Sequence, residues 1–246
     1  MDAIEGLGDA DFGKTLTAIG RTFLGTPYVA KTLEVGDTET LVVNLQGLDC
    51  TTFVENVMAF GLLVKNGQAD FPAFTDHLKT IRYKDGELNG YGSRLHYFSE
   101  WIANNAQKGL VKDMTSELGG VELDKDINFM GTHRELYPFL KDDDNFDQIL
   151  ETEERLNAEP FCYVPQDQIE AREELIQTGD IIALATSING LDVTHTGVAV
   201  REKDGRIHLL HASTGSMEVE VTEKPLVDYL KGIKNNIGIL VARPTF

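Results

Sequence analysis

The chain has 246 residues, 41% hydrophobic and 25% charged, the balance of a globular protein with room for a substantial core. Its formal net charge of −18 repels nucleic acid and anionic membrane surfaces, and no Lys/Arg cluster offsets it locally. No apolar run approaches the ~20 residues of a membrane span, the acidic opening Met1-Asp2-Ala3-Ile4-Glu5 lacks a signal-peptide pattern, and Cys50 and Cys162 are too few for a disulfide framework.

Phe12 to Leu24 carries Leu16, Ile19, Phe23 and Leu24 at helical spacing, and Gly25-Thr26-Pro27 stops that helix. Thr38 to Leu45, rich in β-formers around Thr40-Leu41-Val42-Val43, is predicted to be a strand. Gly47-Leu48-Asp49 is a turn, and Phe53, Val54, Val57, Met58, Gly61 and Leu62 mark a buried helix from Cys50 to Val64. From about Phe71 to Pro165 the pattern is less regular. Aromatic and polar clusters, Arg82-Tyr83 and Arg94-Leu95-His96-Tyr97-Phe98, give way to Lys141-Asp142-Asp143-Asp144-Asn145 and a charged stretch through Arg155, read as a solvated helix or loop. The last third is β-rich, with strands at Asp180–Leu184, Thr196–Arg201, Arg206–His211 and Ile237–Ala242 and a short helix at Leu226–Leu230. The order implies one α+β domain over residues 1–246, with helices on one side of a mostly antiparallel sheet, and a monomer is expected.

Cys50 occupies the first turn of its helix, behind Asp49 as a plausible N-cap. Free amides and the positive end of the helix dipole gather there, favour a thiolate and can hold an oxyanion. A buried core cysteine is the plain alternative, and it is the reading given to Cys162 between Phe161 and Tyr163. A thiol nucleophile needs a base. Of six histidines, His195 opens a strand beside Gly197, where a rigid backbone can hold an imidazole. A two-residue Asp204-Gly205 turn would throw His195 and His211 onto opposite faces. A three-residue Lys203-Asp204-Gly205 loop, with Gly205 at positive φ, pairs Gly197 with His211 and leaves the two imidazoles ~7 Å apart along one face. The second register is the one expected, with His208 opposite Val200 and facing solvent. No His/Cys/Glu spacing suggests a metal, and no cofactor is expected.

Four segments in order resemble the NlpC-type cell-wall cysteine hydrolases: Gly25-Thr26-Pro27-Tyr28-Val29, Asp49-Cys50-Thr51-Thr52-Phe53, His195-Thr196-Gly197-Val198-Ala199 and His211-Ala212-Ser213. Thr26–Glu34, Ile81-Arg82-Tyr83, Ser93–Tyr97 and Gly190–His195 are similar to one subfamily, the N-acetylmuramoyl-L-alanine amidase-like proteins. The resemblance implies a papain-like fold in which residues 71–165 form a large insertion. It implies a catalytic set of Cys50, His195 and His211, an active-site Tyr28, and hydrolysis of the bond between muramic acid and L-alanine in peptidoglycan. It also implies export to the periplasm or cell surface. Departures are Ala30-Lys31-Thr32 in place of the family's Gly-Gly, and Thr52 in place of the glycine after the nucleophile. Arg82, Arg94 and His96 are candidates for holding stem-peptide carboxylates, with a structural role for the arginines as the alternative. Competing readings are a γ-D-glutamyl-diamino acid peptidase on the same triad, a transglutaminase-like acyltransferase and a silent peptidoglycan-binding module.

Overall fold

Helix α2 (Cys50–Lys65) carries apolar residues around most of its circumference, and Phe53, Val54, Val57, Met58, Ala59 and Leu62 are all buried in it. A helix of that kind must be enclosed, and the rest of the fold encloses it. The computed structural model describes residues 12–159 and 161–246; the acidic opening Met1–Glu5 lies outside them. Helix α1 (Phe12–Arg21) and α3 (Phe71–Arg82) flank α2, followed by α4 (Phe98–Gln107), strands β1 (Val111–Asp113) and β2 (Val121–Glu122), and the short α5 (Phe129–Thr132). Then come α6 (Asp143–Ala158), β3 (Cys162–Pro165), the short α7 (Ile169–Arg172), β4 (Ile181–Thr186), β5 (Val193–Arg201), β6 (Ile207–Ser213), β7 (Glu218–Val221), α8 (Leu226–Lys231) and β8 (Asn236–Pro244).

The strands form an antiparallel sheet in the order β2-β3-β8-β4-β5-β6-β7, with β1 also paired to β8. The class is α+β, as expected, but helices cover both faces. Ala183, Ala185, Val198, Val200, Leu210 and Ala212 pack toward α1, α2, α3 and α4. Ile182, Leu184, Ala199, Leu209 and Val241 pack against Leu226, Val227 and Leu230 of α8 and Ile169 of α7. Successive side chains alternate between faces, and both sets are apolar, so both faces need cover. A third cluster around Tyr91, Tyr97, Met130, Phe139 and Ile149 is built within the middle region. The charged stretch there is helix α6, solvated except where Ile149, Thr152 and Glu153 are buried and Phe146 and Leu156 pack partly buried against the third cluster.

Residues 38–45 are not a strand. The segment has no regular secondary structure, and two of its carbonyls are taken by side chains from elsewhere: Arg82 Nη1 donates to Val42 O at 2.6 Å and Tyr83 Oη to Thr40 O at 3.2 Å. With those two carbonyls met by side chains, the segment joins no ladder. No helix among the described residues is long and apolar enough to cross a membrane.

Candidate active site

The start of α2 is set by a reciprocal cap. Asp49 Oδ1 accepts the Thr52 amide at 2.8 Å, and Thr52 Oγ1 accepts the Asp49 amide at 2.9 Å. Thr52, where the related motif has glycine, thus closes the capping box and fixes the turn that presents Cys50.

The β5–β6 hairpin has the three-residue register. Val198 faces Leu210 and Arg201 faces Ile207, Glu202 N donates to Arg206 O at 3.0 Å, and Gly205 has φ +81°. Beyond Val198 the ladder opens. Val193 and residues 195–197 of β5 pair only with β4, while Ala212 and Ser213 of β6 pair only with β7. The Ala199 amide bonds Asp180 O on the β4 side, so the amides of Val198 and Thr196 turn toward β6. The Thr196 amide therefore has no strand partner, and it donates to the Cys50 sulfur instead. This opening in the sheet sets the thiol against the backbone of Thr196, the residue next to His195 in sequence.

His195 shares the face of Leu184, its β4 partner, and His211 shares that of Leu209. Gly197 lies between them. The rings meet edge to face with centroids 4.8 Å apart, and His195 Nε2 is 2.5 Å from His211 Nδ1. His195 is half-buried and His211 fully buried. Burial pushes His195 down to about 4, and burial with the neighbouring His195 lowers His211 as well.

The thiol is not in the state expected of it. Burial, and then the Asp49 carboxylate, push Cys50 up to about 11, against hydrogen bonds from Thr196 and Thr51. The cap explains part of the shift: the acid that organises the helix start also sets a negative charge beside the sulfur. These shifts leave the thiol and both imidazoles uncharged near neutral pH.

Tyr28 joins this group. Its backbone bridges Leu48 and its amide bonds Met217 O at 2.8 Å. Burial, with Cys50 and Asp49 nearby, pushes its hydroxyl up to about 12. Tyr229 on α8 was not singled out from sequence. Its ring meets His211 edge-on at 5.5 Å, and its hydroxyl is raised by burial, Glu220 and Cys50. Glu220 was also missed: it pairs across the ladder with His211. Neither carries a local motif; only the packing of β7 and α8 brings them in.

Other candidates are placed differently. Arg82 is buried, with Nε 2.7 Å from Glu55 Oε2 on α2 and Nη1 on Val42 O. Arg94 is buried against Glu34 at 2.5 Å and Glu39 at 3.7 Å, with its guanidinium 4.9 Å from the Tyr91 ring. Both arginines hold the 31–45 segment to the core, and their charges are met by the chain's own acids. His96 Nε2 is 2.9 Å from Tyr91 O, and burial followed by the Arg94 charge lowers its pKa. His208 does not face solvent. It is buried between Thr222 O, 2.7 Å from Nδ1, and Asp204, 3.1 Å from Nε2, because β7 and the loop after it cover that end of β6. Cys162 is half-buried on β3.

Comparison with known proteins gives a consistent family. Residues 18–239 match the AmiA-like family, described as N-acetylmuramoyl-L-alanine amidase-like. A crystal structure of an N-acetylmuramoyl-L-alanine amidase from Bacteroides uniformis is 36% identical, covers 96% of this chain and all of that one, and superposes with a TM-score of 0.91. A Bacteroides fragilis protein described as a proposed xylanase is 41% identical over 92% of this chain and 99% of its own, with a TM-score of 0.85. A Legionella pneumophila protein, 20% identical over all of this chain and 93% of its own, shares the fold with a TM-score of 0.73. No curated protein matches the chain significantly. The match across residues 18–239 places the chain in the N-acetylmuramoyl-L-alanine amidase-like family.

Proposed function

We propose that the protein is a cysteine-dependent amidase that cuts the bond between N-acetylmuramic acid and L-alanine in peptidoglycan or its fragments, on a papain-like core of the NlpC type. The observation that carries the reading is the Cys50 sulfur held by the Thr196 amide, with His195, the next residue in sequence, hydrogen-bonded to His211. His195 Nε2 is engaged with His211, so Nδ1 is the nitrogen available to the thiol. His195 takes the thiol proton as sulfur attacks the lactyl carbonyl, and the first amides of α2 meet the oxyanion. Collapse expels the L-alanine amine, protonated by His195, and leaves a thioester. Water, deprotonated by the same imidazole, hydrolyses that thioester to the lactyl carboxylate and free thiol. With peptidoglycan as the substrate, we propose a location in the periplasm or at the cell surface.

A glycosidase, as the Bacteroides fragilis relative's description suggests, needs two carboxyl groups facing each other across a sugar ring. Here the acid beside the nucleophile, Asp49, is committed to the helix cap. Mass spectrometry of muropeptide digests tests the proposal. Release of intact stems beginning with L-alanine is expected; shortened stems would point to the γ-D-glutamyl peptidase, and unchanged muropeptides would overturn both.

A further inference from the structure

A hydrogen bond between two neutral imidazoles has a direction, and that direction decides whether His195 can act as a base. With His195 Nε2 and His211 Nδ1 2.5 Å apart, one proton lies between them. If His195 holds it, His195 Nδ1 is a bare acceptor and His211 carries its own proton on Nε2. If His211 holds it, His195 must carry its proton on Nδ1. It then cannot accept another from the thiol, and His211 Nε2 becomes a bare lone pair. Only the first arrangement is productive.

The choice therefore depends on what faces His211 Nε2. That atom is buried, finds no hydrogen-bond partner among the described residues, and lies 3.7 Å from Glu220 Oε1. Glu220 stands directly across the β6–β7 ladder from His211. His195 approaches the ring from β5 and Tyr229 from α8, neither contributing a charge in the resting state. The Glu220 side chain is 33% exposed and borders a cavity of about 580 Å³ that is also lined by Glu223, Lys224 and Asp228. A carboxylate attracts an N–H and repels a lone pair, and at this separation in a partly desolvated wall the difference is large enough to select one tautomer.

We infer that Glu220 is a positioning residue that fixes the tautomer of the imidazole pair, keeping a proton on His211 Nε2 and leaving His195 Nδ1 free to receive the thiol proton. When that proton transfers, the pair gains a positive charge that Glu220 also faces. The inference rests on the proposed roles of Cys50 and His195.

Nitrogen NMR of ¹⁵N-histidine-labelled protein near neutral pH tests it, alongside the rate of Cys50 alkylation by iodoacetamide and kcat on muropeptides. Wild type should show His211 protonated on Nε2. Glu220→Gln, whose amide can donate to a bare Nε2, should populate the other tautomer. It should slow alkylation and lower kcat by roughly tenfold or more with little change in KM. Glu220→Asp keeps the charge and should lose less than Glu220→Gln. Unchanged tautomers and rates in Glu220→Gln, or equal losses in both variants, would overturn the inference. Alkylation and NMR need no substrate, so the two ideas separate. Glu220-dependent alkylation without muropeptide cleavage would sink the amidase reading alone, while cleavage indifferent to Glu220→Gln would sink this inference alone.

Discussion

Gly197 lies against His211 just beyond the last β5–β6 pair, Val198 and Leu210, with no room for a side chain: a Cβ there would stand 2.9 Å from His211 Cβ and 2.8 Å from the Leu210 carbonyl oxygen. The close approach lets His195, two residues away on the same face, reach the second imidazole. Gly197→Ala should separate the rings, cost roughly 1–3 kcal/mol through overpacking, and lower kcat more than it lowers the unfolding midpoint would explain. A variant with wild-type kcat would show that the His195–His211 contact does not matter to turnover.

His211→Ala removes the group that holds His195 in place. A rate loss of roughly 100-fold or more is expected, with KM little changed, because a free imidazole samples unproductive tautomers and rotamers. His208→Ala makes the control, with an effect of a different kind. His208 bonds Thr222 O and Asp204 in a buried position, so its loss should lower the melting temperature while the folded fraction keeps its kcat. Equal kcat losses in the two variants would mean the fold, and not the imidazole pair, is being measured.

Much of this site was legible because its logic is local. Asp49 before Cys50 announces a helix start, and the Lys203-Asp204-Gly205 loop sets the parity that puts both histidines on one face. What failed were features decided at long range. Thr40 to Val43 have strand composition, but Arg82 and Tyr83, some 40 residues on, take the carbonyls that a ladder would have used. His208 has the position of an outward strand residue until β7 and the following loop cover it. Glu220 and Tyr229 join the site only through pairing and packing. The sequence alone suggests a thiolate at Cys50, but burial raises the thiol pKa and Asp49, which stabilises the helix through Thr52, raises it further through its charge.

Arg82 and Glu55 form a buried pair at 2.7 Å, with both side chains 2% exposed. Burial raises Glu55 and the Arg82 charge opposes that shift. Arg82→Met would strand a buried carboxyl and free the Val42 carbonyl, and should cost roughly 3–5 kcal/mol. Arg82→Met with Glu55→Leu should recover part of that loss. Chemical denaturation of the three proteins decides it. A loss in substrate affinity at wild-type stability would return Arg82 to the role of a substrate anchor.

The acid side of the pH profile follows from the desolvated imidazoles. A base works only when neutral, and burial holds His195 at about 4. The acid limb of kcat/KM should therefore lie near pH 4, with activity kept as the pH falls from 7 to about 5. On the alkaline side, Cys50 is held near 11 by burial and Asp49, so alkylation of the free enzyme should keep rising well above pH 8. Stability should move with the same groups. In the unfolded chain a histidine titrates at its ordinary value of 6.5, above the folded value of about 4 for His195. The unfolded state then binds protons that the folded state does not, so stability is full above about 6.5 and falls as the pH drops toward 4. Denaturant midpoints at pH 7 and pH 5 should differ in that direction, and His195→Gln with His211→Gln should flatten the difference. An acid limb of kcat/KM near 6.5 would mean that His195 is solvated in the working enzyme, and the neutral thiol–imidazole resting state would have to be abandoned.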